Sequence, residues 1–144
     1  MIHSAEEFAR LRTSTCREEY LRAAHEPAAA GVWIEVIKKF PDMKFWVAHN
    51  KSVPLEILEI LSSDPDPRVR SAVAMKNRLP YQLMLILSSD PDESVRHRVA
   101  YNKKADASIL TALSRDASDL VSRAALDRLS LLQGDGKTVE PQAR

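Results

Sequence analysis

One feature constrains this chain more than any other: it repeats itself. The segment LSSDPD at 61–66 recurs as LSSDPD at 87–92, 26 residues on and without a gap. Around it, Val53-Pro54 aligns with Leu79-Pro80 and Val73-Ala74 with Val99-Ala100. A third copy follows at the same offset, with Leu87, Asp90, Val95 and Val99 mapping onto Leu113, Asp116, Val121 and Ala125. Backwards, Val73-Ala74 maps onto Val47-Ala48, so Pro41 to Asn50 is the second half of an earlier copy whose first half aligns only with a slip of a residue or two. The units run 28–52, 53–78, 79–104 and 105–130. A fixed period of this length is the signature of a stacked architecture, in which no unit can bury its apolar face alone.

Each unit reads as two short helices. The first runs from Pro54 to Ser63, with proline at the first helical position and Leu55, Ile57, Leu58 and Leu61 as its apolar stripe. Asp64-Pro65 stops it, because a residue before proline avoids the α region. Asp66 then caps a second helix that starts at Pro67, turns Val69, Ala72 and Val73 inward and ends near Met75. Helices this short are marginal alone in water. Inward ladders of Leu61, Leu87 and Leu113, and of Met43, Val69, Val95 and Val121, would hold the stack. Ser4 with Glu7 and Thr15 with Glu18 have capping-box spacing. They make residues 1–27 a pair of N-terminal capping helices. The tail 134–144 lacks apolar periodicity and reads as flexible. The expected fold is all-α: one domain over 1–133, a right-handed α-solenoid of 26-residue two-helix repeats with a helical cap.

The residues support a family resemblance. The pattern Pro-x-x-x-Leu-x-x-Leu-(Ser/Ala)-x-Asp-Pro-Asp-x-x-Val-Arg-x-x-Val-Ala-x-Asn resembles the leucine-rich repeat variant, a HEAT-like helical repeat. It covers residues from about Ala28 to Arg128 and is strongest between Val53 and Asn102. The resemblance implies a scaffold. It also implies that the repeated arginines, Arg70 and Arg96, bond to loop aspartates, giving a structural ladder with Asp64, Asp90 and Asp116. An iron–sulfur cluster known in this group needs N-terminal cysteines, and Cys16 is the only cysteine, so no cofactor is carried over. The third unit departs from the pattern, with Ser122 in place of arginine and Ala105-Asp106 in place of Leu-Pro.

Composition narrows the chemistry. Three glycines in 144 residues leave no phosphate-binding loop. Cys16 is expected to be a buried structural thiol. His3, His25, His49 and His97 fall on different units without metal-ligand spacing, so no metal is expected. The charged N-terminus and the short apolar runs point to a cytoplasmic protein without a membrane segment. Repetition of Asp64/Asp66 as Asp90/Asp92 argues for capping rather than acid–base catalysis, since a reaction needs one constellation, not one per unit.

The charges alternate along the chain. Turns inside units are acidic. Turns between units are basic, with Lys51, then Lys76 and Arg78, then Lys103 and Lys104. The preference of helix ends for these charges accounts for this equally well. On the second helices, Phe45, Ser71, His97 and Arg123 share one outward register and Trp46, Ala72, Arg98 and Ala124 the next, with Trp46 assigned to the core. The leading expectation is a non-enzymatic protein-binding scaffold, an adaptor or a partner that neutralises another protein. It would use Lys51, Lys76, Arg78, His97, Arg98, Lys103, Lys104 and Arg123. The alternative is nucleic-acid backbone binding through the basic edge, against which a net charge of +1 weighs. A third reading, a base-excision enzyme, needs a deeper concave surface than this chain length allows. Leu126, Leu129, Leu131 and Leu132 could pack on a second copy, so a monomer or weak homodimer is expected.

Overall fold

The computed structural model describes residues 1–135. Among them are ten α-helices, one 3-10 turn at Pro41–Met43 and no strand. Ile2 and Ala28 form an isolated parallel bridge. The chain divides into two compact units, the first Met1–Lys76, the second beginning at Asn77.

The first unit holds α1 (Ala5–Thr13), α2 (Arg17–His25), α3 (Ala30–Lys39), α4 (Lys44–His49), α5 (Leu55–Leu61) and α6 (Pro67–Ala74). Its core is built on Phe8, Leu11, Trp33, Val36, Val47, Ile57, Leu61 and Val73. Phe8 meets Trp33 edge-on with centroids 5.2 Å apart. Ser4 caps α1 as its spacing predicts, its Oγ accepting from the Glu7 N–H at 3.0 Å. The Glu7 carboxylate reaches back one residue further than a capping box requires, to the His3 N–H. The box expected at Thr15 does not form. Cys16 is the cap residue of α2, and its N–H donates to Ser14 Oγ at 3.0 Å. Ser14 in turn donates to Glu19. Cys16 is therefore exposed and not a core thiol. It stands at the open end of a helix that buries only Ala23.

Pro54 and Pro80 lie one residue before their helices, in extended backbone. The apolar stripe of α5 is Ile57, Leu58 and Leu61, and Leu55 is exposed. Asp66 accepts from the Arg68 N–H at 2.9 Å and Pro67 opens α6, both as read from the sequence. Of the expected second-helix ladder, Val69, Val95 and Val121 are buried and Met43 is half-buried at the end of the 3-10 turn.

Asn50 is the fully buried polar residue of this unit. Its Nδ2 donates to the Ala23 and Glu26 carbonyls at 2.8 and 3.0 Å, and its Oδ1 accepts from the Ser52 N–H at 2.8 Å. One amide thus satisfies the end of α2 and the turn after α4, groups that would otherwise lose water without a partner. Lys76 stands at the same register one unit on. Its ammonium donates to the Asn50 carbonyl at 2.6 Å. Burial, helped by the charge of Lys51, pushes its pKa down to about 8.

The second unit contains α7 (Tyr81–Ser88), α8 (Glu93–Tyr101), α9 (Ala107–Leu113) and α10 (Asp119–Asp135). Leu83, Met84, Leu87, Val95, Val99, Ile109, Leu110, Leu113 and Val121 fill its core. Asp92 and Asp106 cap α8 and α9, accepting from the Ser94 and Ile109 N–H at 2.8 and 2.9 Å. Asn102 turns the chain as Asn50 does, its Oδ1 accepting from the Lys104 N–H at 2.9 Å. Gly134 and Asp135, assigned to the tail by sequence, belong to α10. The rest of the expected flexible tail lies outside the described residues.

Two substitutions in consecutive residues test this partition. Leu87→Ala opens a cavity in a packed site and is expected to cost roughly 2–5 kcal/mol. Ile86→Ala removes an exposed side chain and should shift stability by about 0.5 kcal/mol or less. Urea unfolding of the two variants measures both.

Candidate functional site

The recurring aspartates are occupied by the backbone. Asp64 Oδ1 accepts from the Asp66 N–H at 3.0 Å, Asp90 Oδ1 from Asp92 at 2.9 Å and Asp116 Oδ1 from Ser118 at 2.9 Å. Each closes the turn between the two helices of a unit. A cation from the preceding second helix locks the turns at Asp116 and Asp64. Arg96 meets Asp116 through both carboxylate oxygens, Nε at 2.7 Å and Nη2 at 3.1 Å, while its Nη1 donates to the Asp90 carbonyl at 2.7 Å. Lys44 Nζ lies 2.9 Å from Asp64 Oδ2. Arg70, at the register between them, donates to the Asp64 and Pro65 carbonyls at 2.7 and 3.1 Å. Lys44 was not singled out in the sequence because the first copy is divergent and carries lysine where the next two carry arginine. Counting 26 residues back from Arg70 finds it.

Lys51, Arg78, Arg98, Lys103, Lys104 and Arg123 are exposed, and Lys76 and His97 are half-buried. His97 packs against Tyr101 with centroids 4.8 Å apart, and its pKa is lowered first by burial and then by Arg98. The register of Trp46, Ala72, Arg98 and Ala124 is not an outward one throughout. Ala72 and Ala124 are buried, Trp46 is half-buried, and Arg98 is the member that reaches water. Among the described residues no group of three or more His, Cys, Asp or Glu side chains could hold a metal ion. None of the described helices is long and apolar enough to cross a membrane.

The exposed apolar residues of the first helices were not found from the sequence, whereas Leu126, Leu131 and Leu132 of α10 were. Ile60 on α5 and Ile86 on α7 share one register, 26 residues apart, and are 50% and 62% exposed; Ile34, on α3 of the slipped copy, is 37% exposed. Leu55 and Tyr81 form a second such pair. The signal was present: α5 (LEILEIL) and α7 (YQLMLILS) are too apolar for helices that bury one face. On α10, Leu120, Leu126, Leu131 and Leu132 are also exposed, and Leu129 is half-buried. No family model, curated protein or solved structure matches the chain.

The clamp on Asp116 carries a pH prediction. The hydrogen bonds from Arg96 hold its carboxyl below the ordinary 3.8. A depressed folded pKa contributes stability that is complete above 3.8 and is lost as pH falls through the folded value. Asp116→Ala is expected to cost roughly 1.5–3 kcal/mol at neutral pH. Asp116→Asn should weaken the acid limb of the stability–pH curve, as measured by urea midpoints from neutral pH downward.

Proposed function

We propose that the chain is a non-enzymatic protein-binding scaffold, a right-handed α-solenoid of 26-residue two-helix units of the HEAT-like, leucine-rich-variant kind. The observation that carries this reading is the exposed apolar pairs at two registers of α5 and α7, Ile60 with Ile86 and Leu55 with Tyr81. Single exposed apolar residues are ordinary, but the same position exposed and apolar in successive units is a patterned surface. Within the first unit Leu55 and Ile60 put two exposed apolar side chains on α5, and Tyr81 and Ile86 do the same on α7 of the second. Interfaces are built on such apolar centres with charged rims. The engagement of Asp64, Asp66, Asp92, Asp106 and Asp116 in caps and clamps supports the non-enzymatic part, since a general acid or base needs a carboxylate turned toward substrate.

Exposure of Lys51, Arg78, Arg98, Lys103, Lys104 and Arg123 favours a second reading, contact with a nucleic-acid backbone. One experiment separates the two. The immobilised full chain and its Ile60→Lys/Ile86→Lys variant are each exposed to lysate of the source cells, at low and high salt, with and without nuclease. The scaffold reading expects a protein retained at high salt and nuclease, bound about tenfold or more weaker by the double variant. Retention only at low salt and abolished by nuclease establishes the second reading and overturns the first.

A further inference from the structure

Within the first unit, α1, α2 and α4 line a cavity of about 250 Å³, partly open to solvent, between Arg12, Tyr20, Ala23, Ala24, Trp46 and His49. It is not part of the isoleucine register. Its walls are of two kinds. Tyr20, Ala23, Ala24 and the Trp46 ring make an apolar floor. The Arg12 guanidinium lies over the Trp46 ring, its central carbon 3.4 Å from the ring centroid. Such stacking holds a cation while leaving the edge of its plane free to donate.

That edge carries an anomaly. Arg12 Nε is buried and has no hydrogen-bond partner in the protein. Buried donors are almost always satisfied, and a charged one left unmet is costly. His49 adds to the asymmetry. Its ring lies edge-on to Trp46 at 5.8 Å and stacks on Phe45 at 6.1 Å. Besides burial, the charges acting on it come from Lys76, Arg12, Lys51 and His25, all of one sign. The cavity is thus positive on one side and flat and apolar on the other.

We propose that this cavity binds a small aromatic carboxylate, its carboxylate accepting from the free edge of Arg12 and its ring lying against Tyr20, Ala23 and Ala24. The volume, below the roughly 300–1,000 Å³ of sites for drug-sized ligands, takes one or two fused rings and not an extended molecule. The geometry selects a carboxylate over a phosphate. A single guanidinium edge matches a planar two-oxygen anion, whereas a phosphate presents three oxygens and a second charge to satisfy.

The test uses the full ¹⁵N-labelled chain titrated with indole-3-acetate, with indole-3-acetamide and inorganic phosphate as controls. The Trp46 indole N–H reports the cavity, and that of Trp33, in the core, is the internal reference. The proposal expects a saturable shift at Trp46 with Trp33 unmoved. The neutral amide should bind about tenfold weaker or worse, and phosphate should produce no saturable shift. Arg12→Gln should lose about tenfold in affinity, and Tyr20→Ala, at the exposed rim, should weaken binding with the fold intact if Arg12→Gln does not fold. Three outcomes overturn it: no saturable shift, equal binding of acid and amide, or phosphate binding as well as the carboxylate. Unchanged affinity in a folded Arg12→Gln or Tyr20→Ala variant overturns it too.

Discussion

Short helices cannot sustain themselves in water, and that constraint organises this chain. α4 has six residues, α5 and α9 have seven. Each pays the nucleation penalty of a helix and gains few internal hydrogen bonds in return. What keeps them helical is cover on the apolar face and a fixed geometry at each end. Proline and aspartate supply the ends locally, as at Asp66-Pro67. The clamps supply them over distance, with Arg96 holding the Asp116 turn and the Asp90 carbonyl together. Breaking a clamp therefore loosens a turn and the two helices that it joins.

Asn50 extends the same logic to the turn after a second helix. Its amide reaches back to the end of α2, 24 and 27 residues earlier in the chain. Lys76 then docks on the Asn50 carbonyl, which makes it a structural residue as well as a basic one. A cation drawn into such a role is partly desolvated. This accounts for its lowered pKa and distinguishes it from the exposed Lys51, Lys103 and Lys104.

Much of this was legible in the sequence because it is local or repeated. Helical class, the Asp66 and Asp92 caps, the Ser4 cap and the buried ladder Leu61, Leu87 and Leu113 follow from spacing alone. What was not legible depended on contrast between faces. Leu55, Ile60 and Ile86 carry the same side chains as the core, and only packing tells which flank of a helix is covered. Cys16 was misplaced because the N-cap of α2 is Cys16 itself rather than Thr15, a shift of one residue that turns a helical position into an exposed cap. Arg12 over Trp46 joins the non-repeating N-terminal helices to the divergent first copy, where no internal comparison could reveal a pairing. Lys44 lay in that same divergent copy, as a lysine where the later units have arginine.

In the proposed function the exposed first-helix positions, not the basic turns, meet a protein partner. Site-specific photo-crosslinking in the source cells tests this most directly, with a benzophenone side chain replacing Ile60 in one variant and Arg123 in another. The account predicts a discrete protein adduct from position 60 and none from position 123. An adduct from position 123 alone, or nucleic acid crosslinked in place of protein, would contradict it.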